Sequence, residues 1–425
     1  MADVHARRLP AAHGTPIACT DVRRAGAAAA AARGTDLRSP ARPQHRRARA
    51  SYPGVTTHRR RAPDRHRSRA RLRPRGGAGT VPASPGEHRY DIDLVRVLAS
   101  VGVIVCHAAG EMMKAVDRTP AEGGPVYWTA LAGDALSRCA VPLFFAIAGW
   151  VVLSGAPPRD GGQIRRRLNR IVVPMAVWTA VYLLWDRVRG VHTDPTRDLA
   201  WDALFGSVRP AFHLWYLYAY VPVILLLSVL VLIRAGRRPW GAGAALLGLA
   251  LAPTLTGDLA RLLDVERPAF GWQFGVYQIV YAVVGAVLLS LPGHAVAGRG
   301  RRLVWLAGGL CAWAAVAVYE HRVHFPSPYA SVVVALLAGT LLMALARIRV
   351  PERFRPLLGR LAGASFGAYL VHLLFLEAVA PRVVSADAGW PGAVGGLAGL
   401  TGATVVLSFA AALLWTRLRL GRWLG

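Results

Sequence analysis

The sequence predicts an all-α polytopic membrane protein of about ten transmembrane helices, with N- and C-termini cytoplasmic and a disordered Arg-rich tail in front. Three observations carry that expectation. Of the 425 residues, 54% are hydrophobic and only 17% charged, where an ordinary soluble chain carries about a quarter charged residues. From residue 91 onward, apolar stretches long enough to cross a bilayer recur. The basic residues between those stretches alternate in number as cytoplasmic and non-cytoplasmic loops should.

Two regions divide the chain. Residues 1–89 hold 20 Arg against 5 acidic residues and show no periodic apolar pattern, so they read as a disordered basic segment. Its Arg runs suit nucleic acid or anionic lipid, but a solvated tail, or an upstream region translated from a mis-called start, explains them better. No Met occurs between Met1 and Met112, so Val55 and Val81 are candidate alternative starts. Residues 90–425 hold the long apolar runs and form the transmembrane domain. The net charge of +28 therefore does not mark a nucleic-acid binder, and the apolar content excludes a soluble fold. The four cysteines, Cys19, Cys106, Cys139 and Cys311, show neither metal-ligand spacing nor a disulfide framework.

Taken in order, the expected spans are 91–109, 134–154, 171–186, 213–233, 240–256, 271–291, 303–319, 327–346, 361–381 and 392–415. With the N-terminus inside, the inner segments 155–170, 234–239, 292–302, 347–360 and 416–425 carry 5, 3, 3, 5 and 3 Lys+Arg. The outer ones carry 2, 4, 2, 1 and 1, which is the expected bias. No internal repeat supports an inverted-repeat transporter.

Ionisable side chains inside a spanning helix are costly and default to a functional reading. The first span holds Asp93, Arg96, Ser100 and His107. Eleven residues separate Arg96 from His107, three turns plus about 20°, so both fall on one face about 16 Å apart along the axis. Asp93 and Ser100 share that face. Histidine is suited to take a proton from a hydroxyl near neutral pH, as acyl transfer to an alcohol requires. The competing reading has Arg96 snorkelling to the headgroups and His107 as a hydrogen-bonded core residue.

Arg167 and Arg170 lie three apart at the start of the third span. Forked guanidiniums there suit a phosphate-bearing ligand such as coenzyme A, helped by a helix N-terminus; plain topology signalling explains them too. Arg138, inside the second span, needs a partner. His213 with Trp215 and Tyr216, and Tyr369 with His372 and Glu377, are weaker candidates, readable as satisfied polar groups between helices.

These residues resemble a known family. Ile92-Asp93-Leu94-Val95-Arg96, with His107 beyond, is similar to the opening helix of the integral-membrane acyltransferase-3 family, where a basic residue and a His are separated by ten residues. Val141-Pro142-Leu143-Phe144-Phe145 through Gly149 resembles its second-helix signature, with Ala148 where Ser is common. Arg167-Leu168-Asn169-Arg170 resembles its paired-arginine motif, and His213-Leu214-Trp215-Tyr216 and Ser365 to His372 its later landmarks. The resemblance covers roughly residues 90–415.

It implies an O-acyltransferase moving an acyl group, often acetyl, from cytoplasmic acyl-coenzyme A to a hydroxyl of a cell-envelope polysaccharide, peptidoglycan or glycolipid. His107 would be the base and Arg96 its essential partner, with Arg167, Arg170, Asp93 and Arg138 binding substrate. No bound cofactor and no metal is expected, acyl-coenzyme A being a co-substrate. The expected setting is the bacterial plasma membrane, with membrane lipids but no nucleic acid as partners. Because the chain ends at Gly425, a second transfer step is expected to need another protein. The outer segment 187–212 is the expected place for acceptor contacts. A transporter or flippase for a lipid-linked glycan intermediate is the alternative, and a non-catalytic membrane partner of a glycan-assembly enzyme a third reading.

Overall fold

The computed structural model describes residues 88–116, 124–206, 209–265 and 269–425. The expectations for the basic tail therefore fall almost wholly outside the described residues. Within them the chain is helical, with no β-strand among the described residues.

The first helix, α1 (Tyr90–Ala115), is the axis of the bundle. It packs on α2 (Pro125–Ser137), α3 (Ala140–Leu153), α11 (Val332–Leu345), α12 (Arg355–Val383) and α13 (Trp390–Arg417). α2 and α3 run on as one apolar span, Pro125–Leu153, interrupted only around Arg138 and Cys139. α4 (Gly161–Arg189) follows, then the short α5 (Thr196–Phe205) and a 3₁₀ turn over Arg209–Leu214 that leads directly into α6 (Trp215–Arg234). α7 (Trp240–Leu262), α8 (Val276–Ser290), the one-turn α9 (Gly293–Val296) and α10 (Arg299–Arg322) lead to α11, and α14 (Gly421–Leu424) closes the chain after α13.

Each of the ten expected spans coincides with one of these helices. Eight are long and apolar enough to cross a bilayer, while Val276–Ser290 and Val332–Leu345 are shorter apolar helices. At 1.5 Å per residue the two short ones extend about 20 Å. Both pack on α3. α2–α3, α6 and α12 are the most buried spans, and α7 leaves nearly all of its apolar surface uncovered, as expected of a helix whose solvent is lipid.

The segments richest in arginine gather at one end. Arg237 donates to the Pro158 carbonyl at 3.2 Å, Arg89 to Leu289 O at 3.2 Å and Arg302 to Arg347 O at 3.0 Å. Asp91 fastens α1 there, bound by Arg89 at 2.6–2.7 Å and by the Arg347 backbone N–H at 2.7 Å. At the opposite end Tyr127 meets His321 at 3.0 Å and Glu377 pairs with Arg189. The segments expected on one side of the membrane thus do share one end of the bundle.

Several boundaries differ from expectation: the second span begins at Pro125 instead of 134 and the ninth at Arg355 instead of 361, and the difference in the third moves a candidate site. The third span was placed from residue 171, but α4 begins ten residues earlier, at Gly161. Asp160 caps it: Oδ1 accepts from Gln163 N–H at 2.8 Å, and the Gln163 side chain accepts from Arg159 N–H at 2.8 Å. The sequence Asp-x-x-Gln is that of a capping box, with the return bond made to the residue before the cap instead of to the cap itself. The arginine cluster therefore lies along the helix rather than in front of it.

Candidate active site

Three histidines from three elements converge. α1 supplies His107, the 3₁₀ turn supplies His213, and α12 supplies His372. The His107 ring lies 5.1 Å from His372, 6.3 Å from His213 and 5.1 Å from Phe212, centroid to centroid; His213 and His372 are 5.0 Å apart. His213 and His372 are buried and His107 partly so.

Tyrosines fix this arrangement. The Tyr369 hydroxyl donates to His213 O at 2.5 Å, and Tyr182 of α4 donates to Leu370 O at 2.8 Å. The first joins α12 to the backbone of the 3₁₀ turn, and the second joins α4 to the backbone of α12. The turn itself departs from helical geometry at Ala211 (φ −135°, ψ 55°).

Beside His107 is a cavity of about 40 Å³, lined by Val103, Cys106, Ser137, Phe144, His213, Tyr216 and Tyr329 among others. That volume admits a few water molecules, so the cavity is a constriction rather than a chamber. Tyr329 is held there by Trp215 stacked at 5.6 Å and by its carbonyl, which accepts from Tyr281 at 2.7 Å. Among the described residues no group of three or more His, Cys, Asp or Glu has the geometry to hold a metal ion.

Arg96 lies on α1 on the same face as His107 but toward the basic end. Its nearest carboxylate contact is Asp93 at 3.8 Å. Asp93 is buried and also bound by His88 at 2.5 Å, while Ser100 donates to the Arg96 carbonyl at 3.1 Å. Two members of the expected polar stripe thus serve α1 itself. Arg167 reaches toward the same region: the guanidiniums of Arg96 and Arg167 both act electrostatically on Tyr220 of α6. One terminal nitrogen of Arg167 is buried without a hydrogen-bond partner, and Arg170 is exposed. Since α4 starts at Gly161, both arginines lie beyond its free N–H groups. An anion there meets guanidiniums alone.

Aromatic rings connect the two regions. Tyr220 is 5.3 Å from Tyr216, Tyr216 is 6.0 Å from Tyr369, and Tyr369 is 5.5 Å from His213. The bundle thus carries a line of tyrosines from the arginine pair to the histidine cluster.

Arg138 does have the partners it needs, but they do not bring it onto the cavity wall. It is buried between Asp134, one turn earlier, and Glu320 of α10, with Nε 2.6 Å from Asp134 Oδ2 and 3.2 Å from Glu320 Oε1. Asp134 also accepts from the Cys106 thiol at 3.5 Å, and Glu320 accepts from Ser327 N–H at 3.2 Å. This trio ties α1, α2, α10 and the loop carrying Tyr329 together from behind the cavity. Asp134 had a legible signal in sequence, a carboxylate at i−4 from an intramembrane arginine; Glu320 had none beyond its place at the end of an apolar run. His213 and His372, weak candidates by sequence, are brought to His107 only by the fold.

In the expected acceptor segment 187–212, Arg209 pairs with Asp194 and Asp202 at 2.7 and 2.8 Å, so several of its charges satisfy one another. Trp201 remains exposed.

No curated protein and no solved structure matches this chain. A family model described as an acyltransferase domain matches residues 89–413, more than three-quarters of the sequence and nearly the entire helical bundle. With the His107 constriction and the spaced arginines, that match makes this chain a membrane acyltransferase belonging to the acyltransferase-3 family.

Proposed function

We propose that this protein transfers an acyl group, acetyl in the simplest case, from cytoplasmic acyl-coenzyme A to a hydroxyl of an extracytoplasmic or lipid-linked carbohydrate in the bacterial plasma membrane. The observation that carries the proposal is the placing of His107 on a narrow cavity, with Arg96 on the same helix face toward the Arg-rich end and a buried, unpartnered Arg167 nitrogen on α4. The Arg-rich end faces the cytoplasm, so a soluble donor arrives there. Arg167, Arg170 and Arg96 hold its phosphates. Its pantetheine arm then follows the tyrosines inward, over a distance of about 16 Å along α1, to present the thioester at the constriction.

At the constriction the neutral His107 ring takes the proton of the acceptor hydroxyl as the oxygen attacks the thioester carbonyl. The new C–O bond forms, the C–S bond breaks, and the proton leaves with the departing thiolate. Direct transfer needs no covalent enzyme intermediate. Arg138, Asp134 and Glu320 hold the wall carrying Tyr329, and Asp93 orients Arg96; any contact of Arg138 or Asp93 with substrate follows from those positions.

The test is transfer of label from acyl-coenzyme A to envelope glycan in membranes bearing the wild type, His107→Ala or Arg167→Ala. Labelling should vanish with His107→Ala, and Arg167→Ala should need at least about tenfold more donor, one lost charge-assisted bond being worth 1.5–3 kcal/mol. Equal labelling by the wild type and a normally inserted His107→Ala would sink the assignment and favour the flippase reading.

A further inference from the structure

We propose that His372 is a positioning residue for the transfer step: it holds the His107 ring in the tautomer whose free nitrogen faces the cavity. The proposal rests on the reading of His107 as the base. It starts from one hydrogen bond, His372 Nδ1 to the Tyr369 carbonyl at 2.5 Å. A carbonyl only accepts, so Nδ1 carries a proton, and the neutral ring has its lone pair at Nε2. That Nε2 is buried and has no hydrogen-bond partner.

A buried acceptor without a donor needs one, and the adjacent ring is His107, 5.1 Å away and tilted by 36°. Two imidazoles joined by a single N–H···N bond have centroids about 5 Å apart, the separation seen between His107 and His372. His213 is equally close, at 5.0 Å, and neither of its ring nitrogens is hydrogen-bonded. The assignment to His107 therefore requires that the His372→Asn effect on kcat persist in a His213→Phe background, and its disappearance there would overturn the proposal. His107 and His213 line the cavity while His372 does not; it stands behind them. An N–H of His107 directed at His372 leaves its other nitrogen as the acceptor on the cavity side. When that nitrogen takes the hydroxyl proton, the His372 lone pair stabilises the cation that forms. The proton passes to the leaving thiolate, and His372 itself gains and loses none.

The titratable and charged groups around the His107–His372 pair are His213 from the 3₁₀ turn with Tyr182 of α4 beside it, Tyr369 on α12, and Arg138 between α2 and α3. Glu111 and Lys114 pair with each other farther along α1.

Three variants test the idea in the labelling assay. In His372→Asn the amide reaches the Tyr369 carbonyl but offers nothing at the Nε2 position; in His372→Gln an amide oxygen stands close to that position; His372→Phe offers neither. His372→Asn and His372→Phe should lower kcat by at least about tenfold, with the KM for acyl-coenzyme A unchanged. The acid limb of their rate profile should move to lower pH, since nothing remains to stabilise the protonated His107. His372→Gln should recover most of the rate. Wild-type kinetics for His372→Asn beside an inactive His107→Ala would overturn this proposal alone. So would equal loss in the Asn and Gln variants, or failure of His372→Asn to insert, because either assigns His372 a structural role. An active His107→Ala would instead remove the reading beneath it.

Discussion

At the scale of single residues, the most exacting demand is the buried charge of Arg138. Removing one partner from a buried ion pair leaves the others uncompensated and costs about 3–5 kcal/mol. Arg138→Gln should therefore lower the unfolding temperature of the detergent-solubilised protein sharply, with both Asp134 and Glu320 left in an apolar interior. Combining it with Asp134→Asn should restore part of that loss, a non-additivity expected of residues in one network; strictly additive losses would show the trio is not a unit. Arg167 tests a different property. If its forked guanidinium grips phosphate, Arg167→Lys keeps the charge but loses the bidentate fit. Donor KM should then fall between those of the wild type and Arg167→Ala.

At the scale of elements, the α3–α8 contact is set by glycine. A Cβ added at Gly149 would stand 1.8 Å from the Ala282 carbonyl oxygen, and one at Gly285 would stand 2.3 Å from Ala146. Neither helix accommodates even a methyl group without separating, because both close atoms include backbone. Small residues let membrane helices approach where no hydrophobic effect drives them together. Gly285→Leu should accordingly cost at least about 1–3 kcal/mol, read as loss of a monodisperse solubilised species. Gly293→Leu, at an open position, serves as the control and should be silent. The short α8 holds its place through this contact, which also explains how a helix too short to cross a bilayer by itself belongs to the bundle.

At the scale of the whole molecule, the Arg-rich end and its opposite must lie on different sides of the membrane. Single cysteines at Arg159 and at Val191, both exposed, should react with an impermeant thiol reagent from opposite sides in a background lacking the native cysteines. With the positive-inside assignment, Val191→Cys is labelled in intact cells and Arg159→Cys only after permeabilisation. The reverse pattern would invert the proposed donor and acceptor sides together.

Most of the architecture is legible in the chain because membrane insertion follows local rules. Twenty apolar residues and a loop rich in arginine can be recognised without knowing any neighbour, so ten spans fall where ten helices stand. The Asp160 cap is equally local, and it starts α4 ten residues before the apolar run that marks the span. The site is legible only in part. His107 and Arg96 share a helix, so the 3.6-residue period alone puts them on one face. What placed His213 and His372 beside His107, or Glu320 beside Arg138, is packing among helices more than a hundred residues apart in sequence. Apolar spans differ too little in pattern to say which face meets which neighbour. The sequence by itself determined where the apolar helices lie and the chemistry of the first of them. The tertiary structure decided which polar groups meet, because in an apolar bundle each one must find its partner on another helix.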